Sequence, residues 1–228
     1  KADTYFRKAV KSEPALALAY TGLGINYLLQ GNAQESFKNY KKALEIDQDE
    51  HMARMGLATI LVGLKGYAKA IEQYKLVIKK VPTFIRAHQS LAALYLQLGR
   101  FKDAIEQSNE ILKIDPNIAP AYLILARSYS YTDNFDDAIK NINRFIEIQE
   151  SSFEGNYLLG SFQMASGDIK SAKVTIEKAE SIDAGRGNMM IASALLNHIE
   201  GNHNTAEVYL KKAMEVTPKI HHPMINIL

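Results

Sequence analysis

Four of the six prolines, Pro14, Pro82, Pro116 and Pro218, are separated by multiples of 34 residues. A fixed period of this length means that one supersecondary unit is copied along the chain, and it constrains the fold more than any other feature. The register gives six complete repeats at 17–50, 51–84, 85–118, 119–152, 153–186 and 187–220. A half repeat at 1–16 precedes them and the start of a further one at 221–228 follows. No insertion or deletion is needed. The seventh slot holds Leu23, Leu57, Leu91, Leu125, Leu159 and then Ser193. The eighth holds Gly24, Ala58, Ala92, Ala126, Gly160 and Ala194. The twentieth holds Ser36, Ala70, Ala104, Ala138, Ala172 and Ala206, and the twenty-seventh Ala43, Val77, Ile111, Phe145, Ala179 and Ala213.

Each repeat reads as two helices. In 85–118 the first is predicted over Ile85–Leu98, where Leu91, Leu94, Tyr95 and Leu98 recur at three- and four-residue spacing. Gly99-Arg100 makes the turn and the second helix runs over Phe101–Ile114. Asp115-Pro116 ends it, because proline cannot continue a helix. Turns of the same kind are predicted at Gly31, Gly167 and Gly201, and at Asp133-Asn134, where Asn tolerates the left-handed conformation. Gly66 stands one slot late. The small residues at slots eight and twenty let two helix backbones approach, and larger ones around them fill the remaining space. A single hairpin buries too little apolar surface to offset its ordering entropy, so neighbouring repeats must stack.

Composition narrows the function classes. The chain has 228 residues, 47% of them hydrophobic and 23% charged, as in a globular protein. It has no cysteine, which excludes disulfides, thiolate metal sites and a cysteine nucleophile. No apolar run is long enough to span a membrane. Residues 1–116 carry 17 basic and 12 acidic side chains, and residues 117–228 carry 10 and 13. This mild asymmetry provides no basic stripe of the kind that binds nucleic acid.

The repeated slots resemble the tetratricopeptide repeat (TPR) family, most closely in repeat one with Tyr20, Leu23-Gly24, Tyr27, Tyr40 and Ala43. The resemblance covers essentially the whole chain. It implies an all-α fold, a right-handed α-solenoid of antiparallel helix pairs, read here as a single array over 1–228. First helices would line a concave groove and second helices would form the convex back. Some positions depart from the pattern: Met190, Ser193 and Asn197 in repeat six, Asn141 and Asn143 in repeat four, and Ser108 at the aromatic slot of repeat three. Looser packing is expected there, and lower stability in the C-terminal third.

In the family, slots two, five, nine, twelve and thirteen of the first helix face the groove. Carried onto this chain, an aliphatic, methionine-bearing zone contains Ile25, Met52 and Met55, and a central zone contains Arg86, Gln89, Arg127, Tyr131, Glu154 and Tyr157. Repeat five adds Ser161, Met164 and Ala165, and repeat six adds Asn188, Ile191, Leu195, His198 and Ile199. Arg and Tyr are enriched at binding hot spots, and Met adapts to varied shapes. These residues imply a peptide or protein partner held in the groove. The two-carboxylate clamp of chaperone-binding members is missing. Its positions hold Thr21, Ile25, Gly56, Arg86 and Ser90 when counted from repeat one, and Leu123, Arg127, Leu158, Asn188 and Ala192 from repeat four.

Catalytic patterns are absent: there is no Gly-x-Ser-x-Gly, phosphate loop or dinucleotide fingerprint. His51, His88, His198 and His203 show no paired spacing suited to a metal site on one helix, and the adjacent His221-His222 reads as a polar terminal turn. His88 reads as a packed core histidine. No cofactor, no metal and no enzymatic activity are expected. The expected function is a non-catalytic protein-interaction scaffold, a segment of a longer TPR protein because the chain begins at Lys1 without a methionine. Two alternatives stand beside it. One is self-assembly of copies through open solenoid ends, suggested by the apolar stretch Met224–Leu228. The other is a docking domain for an enzyme whose catalytic part lies elsewhere.

Overall fold

A computed structural model describes residues 2–216 and contains thirteen helices with no strand among the described residues. They are α1 (Ala2–Ser12), α2 (Ala17–Leu29), α3 (Ala33–Ile46), α4 (His51–Gly63), α5 (Tyr67–Lys80), α6 (Ile85–Gln97), α7 (Phe101–Ile114), α8 (Ala119–Ser130), α9 (Phe135–Ile148), α10 (Phe153–Ser166), α11 (Ile169–Ile182), α12 (Gly187–Ile199) and α13 (His203–Val216). The half repeat supplies α1, and each complete repeat supplies one pair from α2/α3 to α12/α13. The proposed further repeat at 221–228, with His221-His222 and Met224–Leu228, lies outside the described residues, as does Pro218. The chain divides into two compact units, Lys1–Pro116 and Asn117–Leu228. The boundary falls two residues before the end of repeat three, where the charge balance also changes sign.

One backbone device closes every hairpin. The N–H at slot sixteen donates to the carbonyl at slot eleven: Asn32 to Tyr27, Gly66 to Leu61, Arg100 to Tyr95, Asn134 to Tyr129, Asp168 to Gln163 and Asn202 to Asn197. The residue between the helices, at slot fifteen, takes the left-handed conformation these bonds require. Gly31, Gly99, Gly167 and Gly201 do so as expected. In repeat two the left-handed residue is Lys65 (φ 59°), and Gly66 instead caps α5 at φ −79°. In repeat four it is Asp133 (φ 57°), while Asn134 caps α9. The turn geometry therefore holds the slot even where no glycine occupies it. Three second helices also gain a side-chain cap at slot sixteen. Asn32, Asn134 and Asp168 accept the N–H groups of Glu35, Asp137 and Ser171, which would otherwise be unsatisfied.

Packing follows the small slots. Every residue at slots eight, twenty and twenty-seven is buried. In the first unit the Tyr40 ring is 1% exposed. It fills the space a β-carbon would need at both Gly24 and Gly56, at 2.5 Å and 2.2 Å from ring atoms. Burial raises the pKa of its hydroxyl. In the second unit a β-carbon on Gly160 would meet the Ile176 side chain at 2.7 Å. Phe153, Ile176, Ala179, Met189, Ala192 and Leu196 form one core cluster there, and Ala119, Ala126, Ala138, Ile142, Phe145 and Phe162 another.

The departures from the repeat pattern resolve individually. Asn141 and Asn197 donate to the carbonyls of Asp137 and Ser193 one turn back, and Asn143 is exposed. Ser108 and Ser193 are buried with hydroxyl oxygens that lack a partner. His88 is the packed histidine expected, with Nδ1 3.0 Å from the Gln107 side-chain oxygen and Nε2 2.9 Å from the Pro82 carbonyl.

Candidate functional site

In the second unit, the first helices of repeats five and six enclose an open cleft of about 320 Å³. Tyr157, Ser161, Met164 and Ala165 line it from α10, and Ile191, Ala192, Leu195 and Ile199 from α12. Seven of these eight occupy slots five, nine, twelve or thirteen, and Ala192 occupies slot six. Ser161, Ala165 and Ala192 are too small to fill the space between the helices, while Tyr157, Met164, Leu195 and Ile199 bound it with larger side chains. The Ser161 hydroxyl donates to the Tyr157 carbonyl at 2.8 Å, so the lining's one aliphatic hydroxyl is already engaged. Ile199 remains 51% exposed at the mouth.

One turn N-terminal of Tyr157 the same helix face becomes polar. Glu154 accepts from the Arg127 guanidinium at 2.5 Å, an ion pair joining α8 to α10. Both side chains are partly exposed, and the Arg127 Nε is enclosed without an acceptor. Tyr157 lies parallel to Phe153 with ring centroids 5.9 Å apart. The Arg186 guanidinium sits over Phe153, 4.3 Å from its centroid, and is held in place by Asp183 at 2.6 Å. The bond to Arg186, together with the Gly185 N–H, holds the Asp183 carboxyl below its ordinary range. Phe153 thus contacts both Arg186 and Tyr157, the one aromatic residue of the cleft lining.

The other residues expected to line the groove fall into three groups. Arg127, Glu154 and Tyr157 come together as described. Tyr131 forms the C-cap of α8 and is exposed. The remaining five lie in the first unit. Ile25 and Arg86 are exposed, Met52 and Gln89 half-buried, and Met55 is 6% exposed, like Ile191 at the same slot. The sequence placed Met164, Leu195 and Ile199 at groove slots but drew attention to Arg and Tyr, and it did not mark the hollow. The available signal was the run of small residues at Ser161, Ala165 and Ala192 beside large aliphatic ones, which predicts a hollow.

Two further clefts lie in the first unit. One of about 250 Å³ is lined by Asp49, His51, Arg54, Leu76, Val77, Lys79 and Lys80, and the Lys80–Asp49 ion pair spans it at 2.5 Å. The other lies among α1, α2 and α3 beside Arg7, Tyr20 and Tyr27. Among the described residues no group of three or more His, Asp or Glu side chains is arranged to hold a metal ion, and no helix is long and apolar enough to cross a membrane.

Two sequence profiles described as tetratricopeptide repeat match the chain, one over residues 63–128 and one over 17–50, 119–152 and 153–186. The chain belongs to the tetratricopeptide repeat family. The three matches of the second profile coincide with repeats one, four and five of the 34-residue register. No curated protein matches significantly by sequence. Solved structures match by fold. A tetratricopeptide repeat protein from Parabacteroides merdae aligns with a TM-score of 0.70 at 20% identity, over 99% of this chain and 89% of its own. MamA aligns at 0.64 and 27% identity, over 72% of this chain and 95% of its own. YrrB, described as a TPR protein with an unusual peptide-binding site, aligns at 0.63 and 16% identity, over 79% and 93%. The fold class is thus all-α, built of stacked TPR hairpins of the solenoid type.

Proposed function

We propose that this TPR chain is a protein-interaction scaffold that seats an aliphatic or aromatic side chain of a peptide or protein partner in the cleft between α10 and α12. The observation that supports this reading is the coincidence of the cleft with the groove-facing slots. Seven of its eight lining residues stand at those slots, and the lining is apolar. A volume near the lower end of ligand pockets, roughly 300–1,000 Å³, suits one or two side chains. The engaged Ser161 hydroxyl leaves few convergent polar groups to orient a small molecule. The Arg127–Glu154 pair, one turn away, can exchange its mutual bond for bonds to a partner's backbone or charged side chains. Protein or peptide binding is the general property of TPR proteins, and YrrB is a peptide binder of the same fold.

The test is a peptide array followed by fluorescence-polarisation titration of the best binders. Leu195→Asp and Tyr157→Ala are each expected to weaken binding at least tenfold while circular dichroism stays unchanged, and Arg127→Ala to weaken it less. Selected peptides that bind the Leu195→Asp chain as tightly as the parent would refute the cleft as the site.

A further inference from the structure

The turn between α12 and α13 unites two histidines that the sequence keeps five residues apart. His198 lies in the last turn of α12 and His203 is the first residue of α13. Their Nδ1 atoms are 3.2 Å apart. The ring centroids are 4.9 Å apart with planes inclined at 57°, so the rings meet through their nitrogens and not through their faces. On one continuous helix, residues five apart do not share a face. Here Gly201 takes φ 82° and reverses the chain, placing the last turn of one helix beside the first turn of the next. The Gly201 and Asn202 N–H groups donate to the carbonyls of His198 and Asn197, which fixes that reversal.

A neutral imidazole carries one donor and one acceptor nitrogen, so one Nδ1–H donates to the other Nδ1 at this distance. If that proton moves to Nε2, both Nδ1 lone pairs become available in the gap. A zinc ion lies about 2.0–2.1 Å from each nitrogen, and a near-tetrahedral angle then sets the two nitrogens roughly 3.3 Å apart. The observed separation fits. We propose that His198 and His203 form a two-histidine site for a divalent transition-metal ion of the Zn²⁺, Ni²⁺ and Cu²⁺ class, with water in the remaining positions. Imidazole nitrogen favours these ions over Mg²⁺ and Ca²⁺, which prefer oxygen. The nearest carboxylate in sequence, Glu200, is committed to Lys173 through both oxygens, at 2.8 and 3.0 Å, and leaves the ion two protein ligands. A bound ion clamps α12 to α13 at their turn. Its water-held positions are open to a ligand from a partner, next in sequence to Ile199 of the cleft.

The test is isothermal titration of the full chain, free of any affinity tag, with ZnCl₂. His221→Ala and His222→Ala are installed first, so that the adjacent terminal pair makes no contribution. One Zn²⁺ per chain is expected, with no MgCl₂ binding, and His203→Gln should weaken Zn²⁺ binding at least tenfold. His203 is exposed, and circular dichroism checks that its replacement leaves the helices intact. In the same background, Ni²⁺ is expected to broaden NMR signals first around residues 198–203. Failure of the His221→Ala/His222→Ala chain to bind Zn²⁺, unchanged binding after His203→Gln, or broadening centred elsewhere would overturn the proposal.

Discussion

The two units use the same hairpin and finish the contact between successive first helices differently. In repeat one of the first, slot twenty-four carries Tyr40, whose ring reaches past its own repeat and occupies the place of a β-carbon at Gly56 on the next. In the second, slot twenty-four of repeat five carries Ile176, a shorter side chain that meets Gly160 and clusters with Met189, Ala192 and Leu196 of the next repeat. Ala192 then borders the open cleft between α10 and α12. The first seam thus rests on a long aromatic ring against two glycines, and the contact beside the cleft on an aliphatic side chain with smaller partners.

The largest expected effect tests the filled seam. Tyr40→Ala removes a ring buried against two glycines and should destabilise the chain by about 3–5 kcal/mol in urea unfolding. Gly56→Ala comes next: overpacking against the ring should cost about 1–3 kcal/mol, and Tyr40→Leu in the same chain should restore part of it. If Gly56→Ala proves neutral, the seam is looser than its 2.2 Å approach indicates.

Smaller effects test two of the buried hydroxyls, one taken from each unit. Ser108→Ala and Ser193→Ala remove unpartnered buried oxygens and should each stabilise by about 1 kcal/mol. A loss of stability for either would show that its hydroxyl has a partner in solution.

The smallest concerns acid and belongs to the second unit. Asp168 is held below its ordinary range by its bonds to the Ser171 hydroxyl and N–H, and Asp183 by its bond to Arg186. A carboxyl depressed in the folded state contributes stability that is complete above its unfolded value, about 3.9 for Asp, and is lost as pH falls through the lower folded value. The unfolding midpoint should therefore drop below about pH 4. Asp168→Asn should flatten that drop while keeping the helix cap.

Much of this was legible in the sequence because the repeat states it several times over. The hairpin pairs of 85–118 appear where periodicity places them, with only Leu98 leaving the helix to become its C-cap. The small slots are buried, and His88 is a core residue. Single side chains were less legible. Gly66 stands one slot late in the register, and the left-handed residue there is Lys65, because backbone hydrogen bonds fix that residue by position. The burial of slot five was not legible either: Thr21, Met55 and Ile191 are buried there, while Tyr157 is half-buried. His198 and His203 looked unrelated because a spacing rule for one helix does not apply across a reversal.

Sequence alone determined the period, the two helices per repeat and the slots where backbones come close, because each depends on local spacing repeated until chance is excluded. The tertiary structure alone decided where a hollow remains, how deeply each side chain is buried and which two imidazoles face each other. Those outcomes depend on how far a side chain from one helix reaches toward the next, and that distance is set only when the hairpins are packed.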